Sequence, residues 1–309
     1  MRILLLGKNG QVGWELQRAL APLGTLTALD RHSTEFCGDL AKPDELANTI
    51  RSLKPDVIVN AAAYTAVDKA ESEPMLARQI NADSLAVIAA EANKLGAWLI
   101  HYSTDYVFNG KGNTPWQEDD ISAPLSVYGA TKLAGENFIA HNNPRHLIFR
   151  TSWVYGARGN NFAKTMLRLA KERDTLSVIN DQIGAPTGAD LIADCTAHAI
   201  RTVMSQSSQQ DQSNQQTQRL AGIYHLAASG ETTWHDYAAY AFKEAKTQGV
   251  ALKLTRLNAI TTAEYPTAAT RPLNSRLNTQ KISAAFGLTL PPWQQGVTRM
   301  LTEILEQHS

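Results

Sequence analysis

Two cysteines, Cys37 and Cys195, are all the thiols the chain carries, and neither has a Cys-x-x-Cys or Cys/His spacing beside it. Their scarcity excludes a disulfide framework and a sequence-encoded zinc site, and it fits a reducing compartment. Net charge is lacking as well: 29 basic residues balance 29 acidic ones. With no basic field to attract nucleic acid or an anionic membrane, neither is expected as a partner, and anionic ligands must be met locally. Long apolar runs are also missing. The opening Met1 to Leu6 stops at Gly7, too short for a signal-peptide core and far too short to span a bilayer. A cytoplasmic location is therefore expected. What the chain does have is 309 residues, 43% of them hydrophobic, enough for one large domain or two of ordinary size.

Residues 2–6 read as a fully buried strand, and Gln11, Val12, Trp14, Glu15, Leu16, Ala19 and Leu20 keep a helical period. Between them Gly7, Gly10 and Gly13 form a GxxGxxG spacing. In that context glycines let the backbone turn sharply, approach a pyrophosphate and aim free helix N–H groups at its charge; helix packing alone is the plainer use. The next strand, 26–29, ends on Asp30, where a carboxylate accepts hydrogen bonds from an adenosine ribose. That favours NADH, while Arg31 and His32 keep NADPH open. Asp39 and Leu40 are candidates for the adenine edge.

A strand at 56–59 runs into Asn60-Ala61-Ala62-Ala63-Tyr64-Thr65, whose alanines keep the wall low where a cofactor passes. The helix from Pro74 carries Asn81, expected to bridge buried backbone. After the strand 97–102 come Ser103, Thr104, Asp105 and Tyr106, with Thr104 set to hydrogen-bond a substrate oxygen. Ser126 to Lys132 then opens a helix on which Tyr128 and Lys132, four apart, share a face. An ammonium there is expected to pull the tyrosine pKa down toward an acid/base catalyst's range. With nine tyrosines in the chain the spacing alone is close to chance, so its weight comes from its neighbours.

The repeated strand–helix alternation predicts an α/β fold, a Rossmann-type doubly wound parallel sheet with a smaller C-terminal α/β substrate-binding domain. Residues 1–155 form the dinucleotide-binding part. Residues 156–309 are mainly a substrate domain, with some segments returning to the sheet. The low-complexity stretch 205–219 is expected to be a flexible loop. In the polar loop 271–277, the two arginines Arg271 and Arg276 suit a diphosphate, although solvated arginines are the commoner outcome, and Asn274 lies between them.

With the glycine loop, Thr104 and Tyr128/Lys132 in one chain, the sequence resembles the extended short-chain dehydrogenase/reductase superfamily. Within it, Asn60–Glu71, Ser103–Phe108, Arg150–Gly156 and Gln182–Thr187 resemble the dTDP-4-dehydrorhamnose reductases. The resemblance spans the chain except 205–219. It implies NAD(P)H-dependent reduction of the 4-keto group of a dTDP-sugar, supplying dTDP-L-rhamnose for surface polysaccharide. It also implies catalytic Tyr128, Lys132 and Thr104; cofactor contacts at Gly10, Gln11, Val12, Asp30, Asp39, Leu40, Ala63, Tyr64, Thr65 and Tyr102; and substrate contacts at Asp105 and Trp153. Some members bind Mg²⁺ through acidic residues at a dimer contact. The counterparts are Glu15, Asp190 and Gln294, and the neutral amide weakens that set, while a homodimer stays open. Two alternatives stand beside this reading. A dehydratase or epimerase of the same fold is disfavoured for elimination because Tyr106, not an acid, follows Asp105; a non-catalytic dinucleotide-binding subunit would have no need of Tyr128.

Overall fold

The structure, a computed structural model, describes residues 1–207 and 220–306. The first half alternates: β1 Arg2–Leu6, α1 Gln11–Leu20, β2 Thr25–Leu29, α2 Pro43–Leu53, β3 Val57–Asn60, α3 Val67–Ala70, α4 Pro74–Arg78, α5 Ser84–Leu95, β4 Trp98–Thr104, α6 Val127–Asn142 and β5 His146–Thr151. Then follow β6 Val154–Tyr155, α7 Phe162–Glu172, β7 Thr175–Ile179, β8 Ile183–Gly184, β9 Thr187–Gly188, α8 Ala189–Ser207, β10 Gly222–His225, β11 Thr232–Thr233, α9 Trp234–Thr247, β12 Arg256–Ile260, α10 Gln280–Phe286 and α11 Trp293–Glu306.

Six parallel strands form the main sheet in the order β10-β5-β4-β3-β1-β2. The order reverses at β1, and the crevice beyond the carboxyl ends of β1 and β3 is where open α/β sheets take ligands. β1 from Ile3 to Leu6 and β3 are buried on both faces, as expected of a sheet covered by helices on both sides. Leu16, Leu20, Ile192, Ile200 and Phe286 of α1, α8 and α10 pack one face, and Leu46, Ile50, Leu85 and Ile88 of α2 and α5 pack the other. A separate core joins Leu167, Val178, Phe242 and Val297 from α7, β7, α9 and α11. The sixth strand, β10, comes from beyond residue 220 and pairs with β5. The expected flexible loop 205–219 lies outside the described residues, apart from 205–207 at the end of α8.

Two local features differ from the hydrophobic pattern. The helix from Pro74 is interrupted by a π turn at Gln79–Asp83. There Asn81 points inward, its Oδ1 accepting from Tyr64 N–H at 2.8 Å and its Nδ2 donating to Tyr64 O at 3.1 Å and Thr131 Oγ1 at 3.2 Å. The asparagine thus bridges buried backbone as expected, and fastens the segment after β3 to α6. Strand β4 also runs two residues past the apolar run, because Ser103 and Thr104 pair with Arg150 and Thr151 of β5.

Helix α6 is fixed at its start and its middle. Ser126 Oγ accepts from Gly129 N–H at 3.2 Å, and the Glu71 carboxylate accepts from Val127 N–H at 2.8 Å, satisfying two otherwise orphaned donors. Farther along, Glu136 grips Arg150 of β5 through Nε at 3.0 Å and Nη2 at 2.7 Å, the two side chains being 1% and 3% exposed. Removing one partner of such a pair leaves a buried charge uncompensated. Glu136→Ala is therefore expected to lower stability by about 3–5 kcal/mol, read from the urea midpoint; an unchanged midpoint would show that the pair contributes nothing.

Candidate active site

The glycine loop lies at the switch point of the sheet. Gly7 has φ +88°, and a Cβ there would stand 2.6 Å from the backbone nitrogen of Ala62. Only glycine lets the loop press against the Ala61-Ala62 wall. Gly10 is the N-cap of α1 with no side chain bonded to the helix start, and the first turn holds no acid. The first N–H groups of α1, those of Gln11, Val12 and Gly13, are left to meet an anion. One strand over, Asp30 Oδ1 accepts from His32 N–H at 2.9 Å and Ser33 Oγ at 3.2 Å, and Asn9 donates to its other oxygen. Burial works against its charge, but these donors and Lys8 hold its pKa below the ordinary value. Asp39 Oδ1 caps Ala41 N–H at 3.0 Å, Leu40 is buried, and the Tyr64 hydroxyl donates to Glu73 at 2.7 Å. Ala63 is half-buried and Thr65 exposed. The residues therefore fit a dinucleotide: uncapped N–H groups for the diphosphate, a carboxylate at the second strand for the ribose, and small side chains between.

Two strands farther, α6 sits on the end of β4. A Cβ at Gly129 would lie 2.2 Å from the Tyr106 carbonyl oxygen. Its absence brings Tyr128 edge-on to the Tyr106 ring, with centroids 5.6 Å apart. Thr104 Oγ1 donates to Asp105 Oδ1 at 3.0 Å and accepts from Tyr106 N–H at 3.2 Å, with the Tyr128 hydroxyl beside it. Lys132, 2% exposed, donates to Tyr102 O at 2.6 Å and lies 3.0 Å from His101 Nε2. Tyr102 takes part through that carbonyl; its hydroxyl is spent on Thr196 at 2.8 Å.

The electrostatics run opposite to what the four-residue interval suggests. Burial, with the charge of Asp105, pushes Tyr128 up to about 12, and Thr104 only partly offsets this. Burial likewise brings Lys132 down to about 7 against the pull of Glu136. Spacing reports proximity, but here desolvation sets the tyrosine, and the lysine's hydrogen bond runs inward to the Tyr102 carbonyl of β4. Tyr128 accordingly keeps its proton at neutral pH. Asp105 is raised to about 6, again by burial, with the Ser275 and Thr104 hydroxyls opposing.

On the far side Trp153, with φ +49°, stacks on Trp234 at 3.7 Å, and Trp234 Nε1 donates to Gln182 Oε1 at 3.0 Å. Arg271 makes a bidentate pair with Asp68, at 3.1 and 2.6 Å. Asn274 is buried, its Nδ2 donating to Thr114 O at 2.8 Å and its Oδ1 accepting from Arg276, so it braces two loops. Ser103 Oγ, Asp105 Oδ2 and Thr151 Oγ1 are buried without a hydrogen-bond partner among the described residues. All three stand at or just past the carboxyl ends of β4 and β5. Buried polar atoms left unpaired are costly, and their clustering suits a polar ligand.

Sequence comparison agrees with this geometry. The RmlD substrate binding domain model matches residues 1–306. The chain belongs to the RmlD family. It is 64% identical over 304 residues to the dTDP-4-dehydrorhamnose reductase of Salmonella typhimurium, covering 98% of both chains. Among solved structures it is similar to a dTDP-4-dehydrorhamnose reductase of Clostridium acetobutylicum, with TM-score 0.86 and 33% identity over 99% of this chain and 100% of that one. The Bacillus anthracis dTDP-4-dehydrorhamnose reductase in complex with NADP gives TM-score 0.84 and 33% identity over 98% and 99%.

For an RmlD-family chain, the Mg²⁺ that the neutral Gln294 had already put in doubt finds no support. Glu15 and Asp190 do line one surface hollow of about 460 Å³, but each carboxylate faces an arginine, Arg18 at 3.5 Å and Arg299 at 3.3 Å. No group of three or more His, Cys, Asp or Glu side chains suited to a metal occurs among the described residues. Within one chain, then, the two carboxylates are met by arginines rather than by further oxygen ligands. No helix among the described residues is long and apolar enough to cross a membrane. Sequence reasoning missed His101, Asn60 and Gly129; a polar residue in the middle of a central strand was the available signal for His101.

Asp105 supplies a pH test. Its pKa is raised on folding, so ionising it costs stability: the cost is absent below the unfolded value near 4, grows as pH rises, and is complete above about 6. Asp105→Asn is expected to gain about 2–3 kcal/mol over the parent at pH 7 and nothing at pH 3. A gain independent of pH in urea titrations would remove the buried carboxylate as its cause.

Proposed function

We propose that this chain reduces the 4-keto group of dTDP-4-dehydro-L-rhamnose to give dTDP-L-rhamnose, a precursor for surface polysaccharide, using NADH or NADPH. The observation that carries the reading is the packing of α6, which bears Tyr128 and Lys132, against the carboxyl end of β4, where Thr104 stands, on the sheet edge that also holds the glycine loop. The coenzyme, when bound, supplies the hydride to the carbonyl carbon. Tyr128 gives its proton to the oxygen that gains charge, and Thr104 steadies that oxygen by hydrogen bonding. Lys132, brought to about 7 by burial, offsets the charge of the tyrosinate when it holds its proton as an ammonium, and the tyrosinate regains its own proton from solvent after the product leaves. Asp105 and Trp153 contact the sugar nucleotide, and Arg271 exchanges Asp68 for its diphosphate. Residues 1–155 hold the coenzyme, while the core around α7, α9 and α11 supports the substrate side.

Tyr106 supports reduction over elimination. A dehydratase needs a second acid after the aspartate, and here an aromatic ring packs on Tyr128 instead.

Tyr128→Phe is expected to retain coenzyme binding and lose about 10²–10⁴-fold in kcat, followed as coenzyme oxidation with the keto sugar nucleotide; turnover within a few-fold of the parent sinks the proton-donor role. Asp30→Ala should move the kcat/KM ratio toward NADPH by removing the carboxylate that repels a 2′-phosphate. An unaltered ratio takes Asp30 out of the ribose site.

A further inference from the structure

Behind Lys132 runs a chain of buried side chains: Asn60 at the end of β3, His101 in β4, and Lys132 itself, exposed by 1%, 1% and 2%. Its hydrogen-bond polarity is set at one end. Asn60 Oδ1 accepts from Ala62 N–H at 3.1 Å, so the amide turns its NH₂ to His101, with Nδ2 3.1 Å from Nδ1. A ring nitrogen facing a donor must present its lone pair. Neutral imidazole has one N–H, which then sits on Nε2. Nε2 is 3.0 Å from Lys132 Nζ. An ammonium has three donors and no lone pair, whereas a neutral amine accepts. With the Asn60 amide so turned, the side chains pair as Asn60 N–H to Nδ1, Nε2–H to Nζ, and Nζ–H to the Tyr102 carbonyl at 2.6 Å.

We propose that His101, held in its Nε2–H tautomer by Asn60, is a positioning residue that favours the neutral amine of Lys132 and so makes the charge of that lysine switchable in the working pH range. The proposal rests on the reading of Lys132 as the partner of Tyr128. Two donors facing each other in a buried site cost free energy that two paired groups do not, and in low dielectric that difference is enlarged. Burial acts in the same direction on both groups: it brings Lys132 to about 7 and, with the charge of Lys132, holds His101 well below its ordinary value against the pull of the Asn60 backbone carbonyl, so the proton that comes and goes belongs to the lysine.

Other charges on elements packed against α6 are engaged elsewhere. Glu136, one turn past Lys132, favours its charge but is gripped by Arg150 of β5. Asp105 acts on Tyr128 and Tyr106 at the helix start, and Glu71 accepts from Val127 N–H. His146 of β5 is bonded to the Asn143 carbonyl. On α3, Asp68 pairs with Arg271 and Lys69 with Glu73; on α4 and the π turn, Arg78 pairs with Asp83. On α5, Glu91 binds Arg51 and Lys94. His101 is the group among these that meets Lys132 with a hydrogen bond.

The test begins with the unmutated protein. ¹⁵N-histidine NMR, with His101 assigned through His101→Gln, should give a lone-pair Nδ1 and a protonated Nε2 at pH 8; an Nδ1–H tautomer or an imidazolium overturns the proposal. Asn60→Asp turns a carboxylate to Nδ1, draws the ring proton there, and leaves the Nε2 lone pair to accept from the ammonium. The lysine titration, read from ¹³C-labelled lysine with Lys132 assigned by Lys132→Met, should then move up by about one pH unit or more. The corresponding limb of kcat/KM against pH should move with it. A lysine titration unmoved in folded Asn60→Asp also overturns the proposal. If the keto sugar is not turned over while tautomer and titration behave as stated, the proposed function fails and the His101–Lys132 coupling stands.

Discussion

The burial of one amine governs much of this structure. Lys132 is 2% exposed on a helix pressed against the carboxyl end of a central strand. An ion in that position loses several kcal/mol of hydration unless dipoles or opposite charge replace the water. The chain supplies a backbone carbonyl at 2.6 Å and a carboxylate one helical turn away. That carboxylate is itself neutralised by Arg150. Ammonium and amine are thereby nearly balanced, which a fully compensating counter-ion would prevent. The same close packing keeps Tyr128 protonated, which suits the proton-donor role proposed for it.

Most of the sheet was legible because its signals are local. Four apolar residues between Arg2 and a glycine have few other uses, and the alternation of strand and helix leaves few topologies. The features that were not legible depend on pairing across the fold. Ser103 and Thr104 belong to β4 only because β5 presents Arg150 and Thr151 beside them. The π turn at Gln79–Asp83 follows from Asn81 reaching the Tyr64 backbone, a contact between residues 17 apart. Strand β10 has the composition of any short strand, and its place at the sheet edge is set by β5.

At the site, residue identity was readable and environment was not. The interval from Tyr128 to Lys132 places two side chains on one helix face, but says nothing of the dielectric around them. The expected downward shift of the tyrosine therefore came out as an upward one. Arg271 illustrates the same limit: a loop arginine has the fork for a diphosphate, but only the fold reveals Asp68 already in it. Asn274 likewise reads as a polar loop residue, whereas its amide braces Thr114 and Arg276.

Small side chains decide how these charges meet. Gly129 lets the first turn of α6 touch the Tyr106 carbonyl, and any larger residue would lift Tyr128 away from Thr104. Gly7 does the equivalent for the coenzyme loop against Ala62. In the proposed reaction the distance from hydride donor to carbonyl and from carbonyl to Tyr128 must be held together, since misplacement of about 1 Å costs on the order of 10²-fold in rate. The backbone contacts at these two glycines set where the glycine loop and Tyr128 stand. In that proposal specificity for reduction follows from what stands next to Tyr128: Tyr106, an aromatic ring against it, offers no second acid with which to expel water from a sugar.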